Sequence, residues 1–599
     1  MTNWGNAERI RNSAVKLKTQ MWAGIERLRP HLTAICEAYY PVGLDGLQRA
    51  VEDMHSPNMY EEEDENYHIS LAGRRAFQVG VSGFYVNMFS PARRNWRFVA
   101  KPEQFATGGD QDEEAAKPLD ALTEASRYIM YHSKTYHEVN VALKHLLSCG
   151  FACILIRPET EREQATRGRY LFSQCLRLGT YAMAVDSYGV VNRILRHFAY
   201  TAEQLVELYG RDELPESVQI AYDNQSNQHF EAWTLIEPHE KGIRDDPRNF
   251  VLSYDEFKYR SITWLGITQG DNHGLLEVAG YTRKPFVAPR LEFEIGDVYG
   301  RGKGIDSLGL IRALQTICED CLDISGQRAQ PASCVSEELR DQPGGPQFGR
   351  RGINWVSAGE QGKNAVYPVF PNPPSMDECR EEGARIQQEL KDNNFNNEFA
   401  SINMDDQNNP VRTATEIEYR KRQSLEQLSG AATTLEDELA GPLATLMRDY
   451  ALDLKLCEMP AGYDVAKLDI RYESSVHKAM NAPDVNSRTE GFGFAVEIAK
   501  IQATAGEANT VLDNFDLDAL VRRHYRTIGA PEKDIVDEDK REQVRARRAE
   551  ASAAQAQLAQ RGQAAEVAGM EADAATKQAE AQRAAQGGDL AAALGGFRL

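Results

Sequence analysis

From Arg412 to Leu456 apolar residues recur at helical spacing: Ile417, Leu425, Leu428, Leu435, Leu439, Leu443, Leu446, Met447 and Tyr450. Between them lie Arg420, Lys421, Arg422, Glu426, Glu436, Asp437, Glu438 and Arg448. The pattern predicts one long amphipathic helix, with any break near Gly441-Pro442. At 1.5 Å per residue it spans roughly 60 Å. A helix of that length crosses a large domain or lines a subunit boundary, so the rest of the chain is organised before and after it.

Before it, residues 7–40 read as a helix on Leu17, Met21, Ile25, Leu28, Leu32 and Ile35, kinked if anywhere at Pro30 and ended by Pro41. The acidic run Glu61 to Glu65 reads as a solvated loop. A second helix covers Leu71 to Phe89, and Gly80 and Gly83 inside it predict close approach of another element. Arg93, Arg94 and Arg97 then alternate with Trp96 and Phe98. Such interleaving can form a nucleic-acid platform; one short stretch in an acidic chain fits structural or subunit ion pairs better. Residues 102–119 read as an exposed loop and 120–148 as a third helix. The period then drops to near two. Strands are expected at 151–157, 171–178, 180–186, 190–198, 230–237, 250–254, 261–266, 275–281 and 287–294, with a Thr201-capped short helix stopped by Gly210. The spacing leaves little room for parallel crossovers, so the block is α+β with a mainly antiparallel sheet.

Tyr299-Gly300-Arg301-Gly302-Lys303-Gly304 looks superficially like a phosphate loop but lacks the Walker spacing. It reads as a chain reversal seating the next helix, about Ile305 to Gln330. Cys318 and Cys321 on that helix form a CxxC pair. A zinc site needs two more close ligands, and Cys334 is thirteen residues on. The pair reads as buried small hydrophobes. Residues 331–375 are rich in Gly and Pro, with short strands possible around 352–356 and 365–369. A further helix runs from about Ser375 to Phe399, and the polar loop 400–411 joins it to the long helix. After the long helix come a strand at 463–472 and helices near 475–480, 489–504 and 509–525. From about 537 to 586 Ala, Gln, Glu and Arg dominate. A lone helix with so little to bury is marginal in water, leaving two readings: a floppy tail, or a helix bundled with copies of itself.

The chain has 599 residues and a net charge of −21, from 68 Lys and Arg against 89 Asp and Glu. Such acidity opposes tight binding of nucleic acid over the whole surface. Nine cysteines without framework spacing favour a reducing compartment. No signal-like start and no apolar run long enough to span a bilayer are present. His132, His137 and His145 lie on or near one helix without an HExxH pattern, and no nucleophile elbow, kinase set or Walker motif occurs. No catalytic, cofactor or metal residues emerge, and the chain is not expected to be an enzyme.

Three stretches carry a family resemblance. Gly80-Val81-Ser82-Gly83 through Ser90-Pro91-Ala92-Arg93-Arg94-Asn95-Trp96 is similar to "ASGL..GLTSPARPWF", matching at Ser90, Pro91, Ala92 and Arg93 and departing at Arg94 and Asn95. Tyr299-Gly300-Arg301-Gly302 resembles "YGRSP…L..LK.L", with Gly302 where serine is usual. Arg412-Thr413-Ala414-Thr415-Glu416-Ile417 resembles "MTATEV" before a long helix. In this order, across roughly residues 10–530, they resemble the portal, or head-to-tail connector, proteins of short-tailed double-stranded DNA bacteriophages.

The resemblance implies an α+β portal-type fold. Residues 1–304 would be the wing, 305–330 and 376–399 stem helices, and 331–375 a small Gly/Pro-rich clip. Residues 400–411 would be a tunnel loop, 412–474 the long wing helix and following strand, 475–536 the helical crown, and 537–599 an alanine-rich C-terminal barrel or tail. It implies a ring of about twelve copies, at one capsid vertex of a virion assembled in the host cytoplasm. Its partners would be double-stranded DNA passing without sequence specificity, the large terminase, tail or adaptor proteins, and capsid and scaffolding proteins; no cofactor or membrane is implied. The tunnel loop would offer Asp405, Asp406, Gln407, Asn408 and Asn409 to DNA, with Arg385 and Lys391 as basic channel residues. Two other readings stay open at this point: a large oligomeric scaffold without a channel, and an enzyme acting on nucleic acid.

Overall fold

In the computed structural model the described residues are 4–40, 70–100, 111–159, 168–226, 228–239, 257–266, 274–329, 333–335, 366–368, 376–402, 414–459, 468–474, 491–500 and 538–593, with a few isolated positions between. They form an α+β fold with a helical core, several short sheets and a long C-terminal helix. The helices are α1 (Trp4–Tyr39), α2 (Ala72–Met88), α3 (Gln111–His132), α4 (Thr135–Cys149), α5 (Ala202–Tyr209), α6 (Glu216–Asp223), α7 (Lys303–Ala329), α8 (Met376–Asn393), α9 (Asn396–Ile402), α10 (Ala414–Leu435), α11 (Gly441–Asp453) and α12 (Glu538–Ala593).

The chain divides into two units, one of Met1–Gly109 and Pro118–Phe515, the other of Asp110–Lys117 and Asp516–Leu599. In the first, α1 stays helical through Pro30 and buries Met21, Ile25, Leu32 and Ile35. It packs against α2, α4 and α7 on one side and strands on the other. The main sheet has five antiparallel strands in the order β4 (Tyr181–Val185), β5 (Val191–Thr201), β6 (His229–Pro238), β7 (Tyr259–Leu265) and β8 (Leu275–Tyr281). A three-stranded sheet orders β3 (Leu171–Cys175), β2 (Ile154–Pro158) and β9 (Phe286–Val287). Every described ladder is antiparallel, including β5–β6, whose strands are joined through α5 and α6. The expected strand 250–254 lies outside the described residues.

Thr201 caps α5 through a capping box with Gln204, and Gly210 follows it. A satellite core of Phe198, Leu205, Val218, Phe230 and Leu265 seats α5 and α6 on the main sheet; α6 was not expected. Two expected helices are each split. Where one helix was expected over 120–148 there are two, and helix also covers much of the expected loop 102–119, starting at Gln111. Ser133 Oγ donates to Ile129 O at 2.7 Å, and Lys134 takes φ 58°, so the backbone turns before Thr135. The helix expected to reach Phe399 ends at Asn393, and Phe395 at φ 60° starts α9 in a new direction. That turn brings Phe395 and Phe399 onto Phe84 of α2, at centroid separations of 5.5 and 4.9 Å.

Buried thiols, Cys36 of α1, Cys149 of α4 and Cys175 of β3, lie near the buried His145 of α4, whose Nδ1 is 3.5 Å from Cys175 Sγ. Burial, with nearby Lys144 adding to it, lowers the imidazole to about 4. The folded chain therefore holds His145 neutral, while the unfolded chain binds a proton near 6.5. Stability from this group is fully present above about pH 6.5 and is lost as pH falls towards 4. The loss is roughly 3 kcal/mol. His145→Gln should flatten the dependence of the unfolding midpoint on pH between 7 and 4.5; an unchanged slope would remove His145 as its source.

Candidate functional site

Parts of two of the resemblance-bearing segments, Gly80 and Gly83 on α2 and the start of α7, meet at the α8–α9 corner. Gly80 lies so close to Asn394 O that a Cβ would overlap it, and Gly83 lies similarly against the Phe399 ring. The close approach expected of both glycines is thus to the α8–α9 corner. Just past α2, Ser90 to Arg93 form an exposed turn in which Ser90 Oγ accepts from Ala92 N at 3.3 Å. The next residues face inward. Arg94 donates to both oxygens of Asp120, at 2.5 and 3.1 Å, and to Glu124 at 2.8 Å. Arg97 forms a buried pair with Glu473 at 3.2 Å. Trp96 and Phe98 are buried on β1 (Trp96–Ala100), which pairs with β12 (Leu468–Tyr472). The interleaved arginines and aromatics therefore fasten the helix–strand junction, and these rings present no stacking platform.

The glycine-rich run 299–304 is a tight seam. Gly300 packs on the backbone of Leu291 and Gly150, and Gly302 on Gly150 and Ser148. Tyr299 Oη accepts from Met183 N at 3.1 Å, and its ring meets Phe151. Arg301 N donates to Leu291 O at 2.8 Å, with its side chain exposed. The backbone that would cradle a phosphate is filled by protein, and α7 begins at once from Lys303.

Helices α7 and α8 run antiparallel. Asn393 Nδ2 donates to Ser307 Oγ at 2.5 Å near the base. Further out, Gly383 faces Ile317 and Leu314. Ile311, Leu314, Ile386 and Leu390 are buried at this contact. Arg385 is exposed on α8 and is held by Glu382 and by Glu389, the latter at 2.5 Å. Those two carboxylates raise its already high pKa. Lys391 is exposed in the last turn of α8. Beyond Ala329, β10 (Ser333–Val335) pairs with β11 (Val366–Pro368); the possible strand 352–356 lies outside the described residues. So do Asp405, Asp406, Gln407, Asn408, Asn409 and Thr413, while Ala414, Thr415 and Glu416 open α10.

The long helix is continuous from Ala414 to Asp453 through a π turn at Glu436–Ala440, where Gly441 N–H donates to Glu436 O. Pro442 explains the turn. It lacks an N–H, and its ring would crowd the carbonyl of Glu438 four residues back; widening the helix relieves the clash without a break. Glu438 on this turn pairs with Arg290 at 3.0 Å. Arg290, 2% exposed, also donates to Gly189 O and Asp297 O. Sequence reasoning missed this hub, since nothing marks Arg290 apart from other arginines near a strand. Among the described residues no cluster of three or more His, Cys, Asp or Glu is arranged to hold a metal, and no helix is long and apolar enough to cross a membrane.

A protein-family model described as "Bacteriophage head to tail connecting protein" matches residues 12–536. The chain belongs to that family. It is 24% identical over 522 residues to the "Probable portal protein" of Bordetella phage BPP-1, covering 85% of this chain and 86% of that relative. It is 26% identical over 392 residues to the "Portal protein" of Salmonella phage epsilon15, covering 63% of this chain and 66% of that relative. The connector-family match contains the SPAR turn, the glycine seam, the α7–α8 pair and the long helix. It stops just before α12.

In the second unit α12 runs for 56 residues, about 84 Å. Apart from the half-buried Arg541 its described side chains are exposed, including Leu558 and Met570, and they form no apolar stripe. At its start Arg545 and Arg541 pair with Asp518, at 2.7 and 3.7 Å.

Proposed function

We propose that copies of this chain close into a ring at one capsid vertex, around an axial passage for double-stranded DNA. The ring serves as the docking platform for the large terminase and then for tail or adaptor proteins, within a capsid assembled with scaffolding proteins. The observation that carries this reading is the connector-family match from residue 12 to 536, with two relatives named as portal proteins. In it, residues 1–304 are the wing, α7 and α8 the stem, 331–375 the clip, 400–411 the tunnel loop, 412–474 the long wing helix and strand, 475–536 the crown and 537–599 the terminal barrel. The family resemblance implies about twelve copies, related by one repeated interface that closes on itself. It does no phosphoryl transfer, and a separate motor moves the DNA.

The charge pattern supports a conducting role. A surface that neutralised many phosphates would grip the duplex; this chain carries a net charge of −21, and Arg385 is already matched by two carboxylates. A long helix with no core of its own, as α12 is, is marginal alone and gains stability beside identical neighbours.

Native mass measurement and end-on images of the purified assembly test the ring: a closed annulus with an open axis is expected, and a chain that stays monomeric under all conditions would overturn it. Deleting residues 400–411 should leave ring mass unchanged and reduce DNA packaging or retention severalfold. Normal packaging by the deleted chain would remove these residues from the passage while leaving the ring itself standing.

A further inference from the structure

The α7–α8 pair carries a dithiol site that neither family membership nor the DNA passage requires. Its register is fixed at two points. Asn393 bonds Ser307 and the carbonyl of Lys303, and Gly383 faces Leu314 and Ile317. Moving one further turn outward on each antiparallel helix sets Cys379 opposite Cys321. Cys321 is among the nearest groups acting on the Cys379 thiol, so the two side chains are neighbours across the helix pair. Both are half-buried, so a small reagent has access, as is Cys318 one turn back on α7. The expectation that the CxxC pair serves as buried packing is thereby corrected: Cys321 turns to a third cysteine on the neighbouring helix. Partial burial, the facing thiol and the carboxylates of Asp320 and Glu378 all push the Cys379 thiol up, which keeps it protonated and slows adventitious oxidation.

We propose that Cys321 and Cys379 form an inter-helix disulfide when the protein meets a small-molecule disulfide such as oxidised glutathione. The thiolate of one cysteine attacks a glutathione sulfur, giving a mixed disulfide and releasing one glutathione. The second cysteine attacks the protein sulfur of that mixed disulfide, releasing the other. The two thiol hydrogens leave on the two glutathiones, the protein pair is oxidised by two electrons, and the reagent is reduced by two. The bond closes the loop of residues 322–378 and pins α7 to α8 at the end remote from the glycine seam. In a reducing cytoplasm the pair stays as thiols, and the bond persists where glutathione is oxidised. Cys318 lies on the same helix as Cys321, so a bond between those two would tie nothing together.

The test uses the full chain, treated with oxidised glutathione and, separately, with excess reduced glutathione. Free thiols are then blocked and the protein digested without reductant. Mass spectrometry should find the Cys321 and Cys379 peptides joined, two hydrogens lighter than their sum, in the oxidised sample alone. The bond should survive Cys318→Ser and vanish in Cys379→Ser. The oxidised wild type should unfold several degrees higher than the reduced form, a shift that Cys379→Ser abolishes while its reduced midpoint stays at the wild-type value. A dominant Cys318–Cys321 bond, cross-links between chains, stable glutathione adducts without the internal bond, or an equal midpoint shift in Cys379→Ser would each overturn the proposal.

Discussion

Arg97→Ala should destabilise the first unit by about 3–5 kcal/mol, the range for removing one partner of a buried ion pair. Arg97 and Glu473 are 7% and 4% exposed at the side chain, and their 3.2 Å contact lies where β1 meets the segment after β12. The backbone joins there as well, with Glu473 N donating to Asn95 O at 2.8 Å. Without the guanidinium, the Glu473 carboxylate stays in the interior without that cation, which costs more than the pair itself contributes. The paired replacement Arg97→Met with Glu473→Leu should recover most of the loss, because it removes both charges and keeps the volume filled. Thermal unfolding of the three variants separates the effects. Equal losses in the single and double variants would mean that the ladder, rather than the unpaired charge, decides stability here.

Gly300→Ala should be about as damaging, at roughly 3 kcal/mol or more. Its Cβ would overlap the carbonyl oxygens of Leu291 and Gly150 and come within 2.7 Å of Leu291 N. All three are backbone atoms, so no side chain can swing away. Relief must come from moving the turn after α4, which Gly150 closes at φ 88°, or the start of α7. Gly309, two turns along α7, is the matched control. A Cβ there meets nothing within 4 Å, and Gly309→Ala should stabilise the chain by about 0.5–1 kcal/mol through helix propensity. If both variants unfold alike, the seam is looser than its geometry indicates.

How far the fold was readable from sequence depends on the kind of signal. Period and end signals placed α1, α2, α5, α7 and the strands of the main sheet within a few residues, because apolar recurrence and caps act locally. The two split helices were not readable. Ser133-Lys134 and Asn394-Phe395 carry no glycine or proline, and their positive φ angles are sustained by contacts made elsewhere, as Phe395 is against Phe84. The π turn was half readable: Pro442 marked the irregularity, but a wide turn replaced the expected break since packing on both sides keeps the helix in line. At the candidate site the motif segments were visible as strings, and their physical jobs were not. A glycine run reads as flexibility until the backbone pressed against it is seen.

By itself the sequence determined the α+β class, the antiparallel pairing, the long helix, the acidic balance and the likeness to head-to-tail connectors, since each follows from local periodicity, composition or motif order. Only the tertiary structure decided that Arg94 and Arg97 are spent on internal carboxylates, that Arg290 ties two loops to the π turn, and that Cys321 faces Cys379. Those facts join residues tens to hundreds of positions apart, such as Arg97 with Glu473. Which distant charge or thiol meets which is set by how the elements pack against one another, and local sequence patterns carry no record of that.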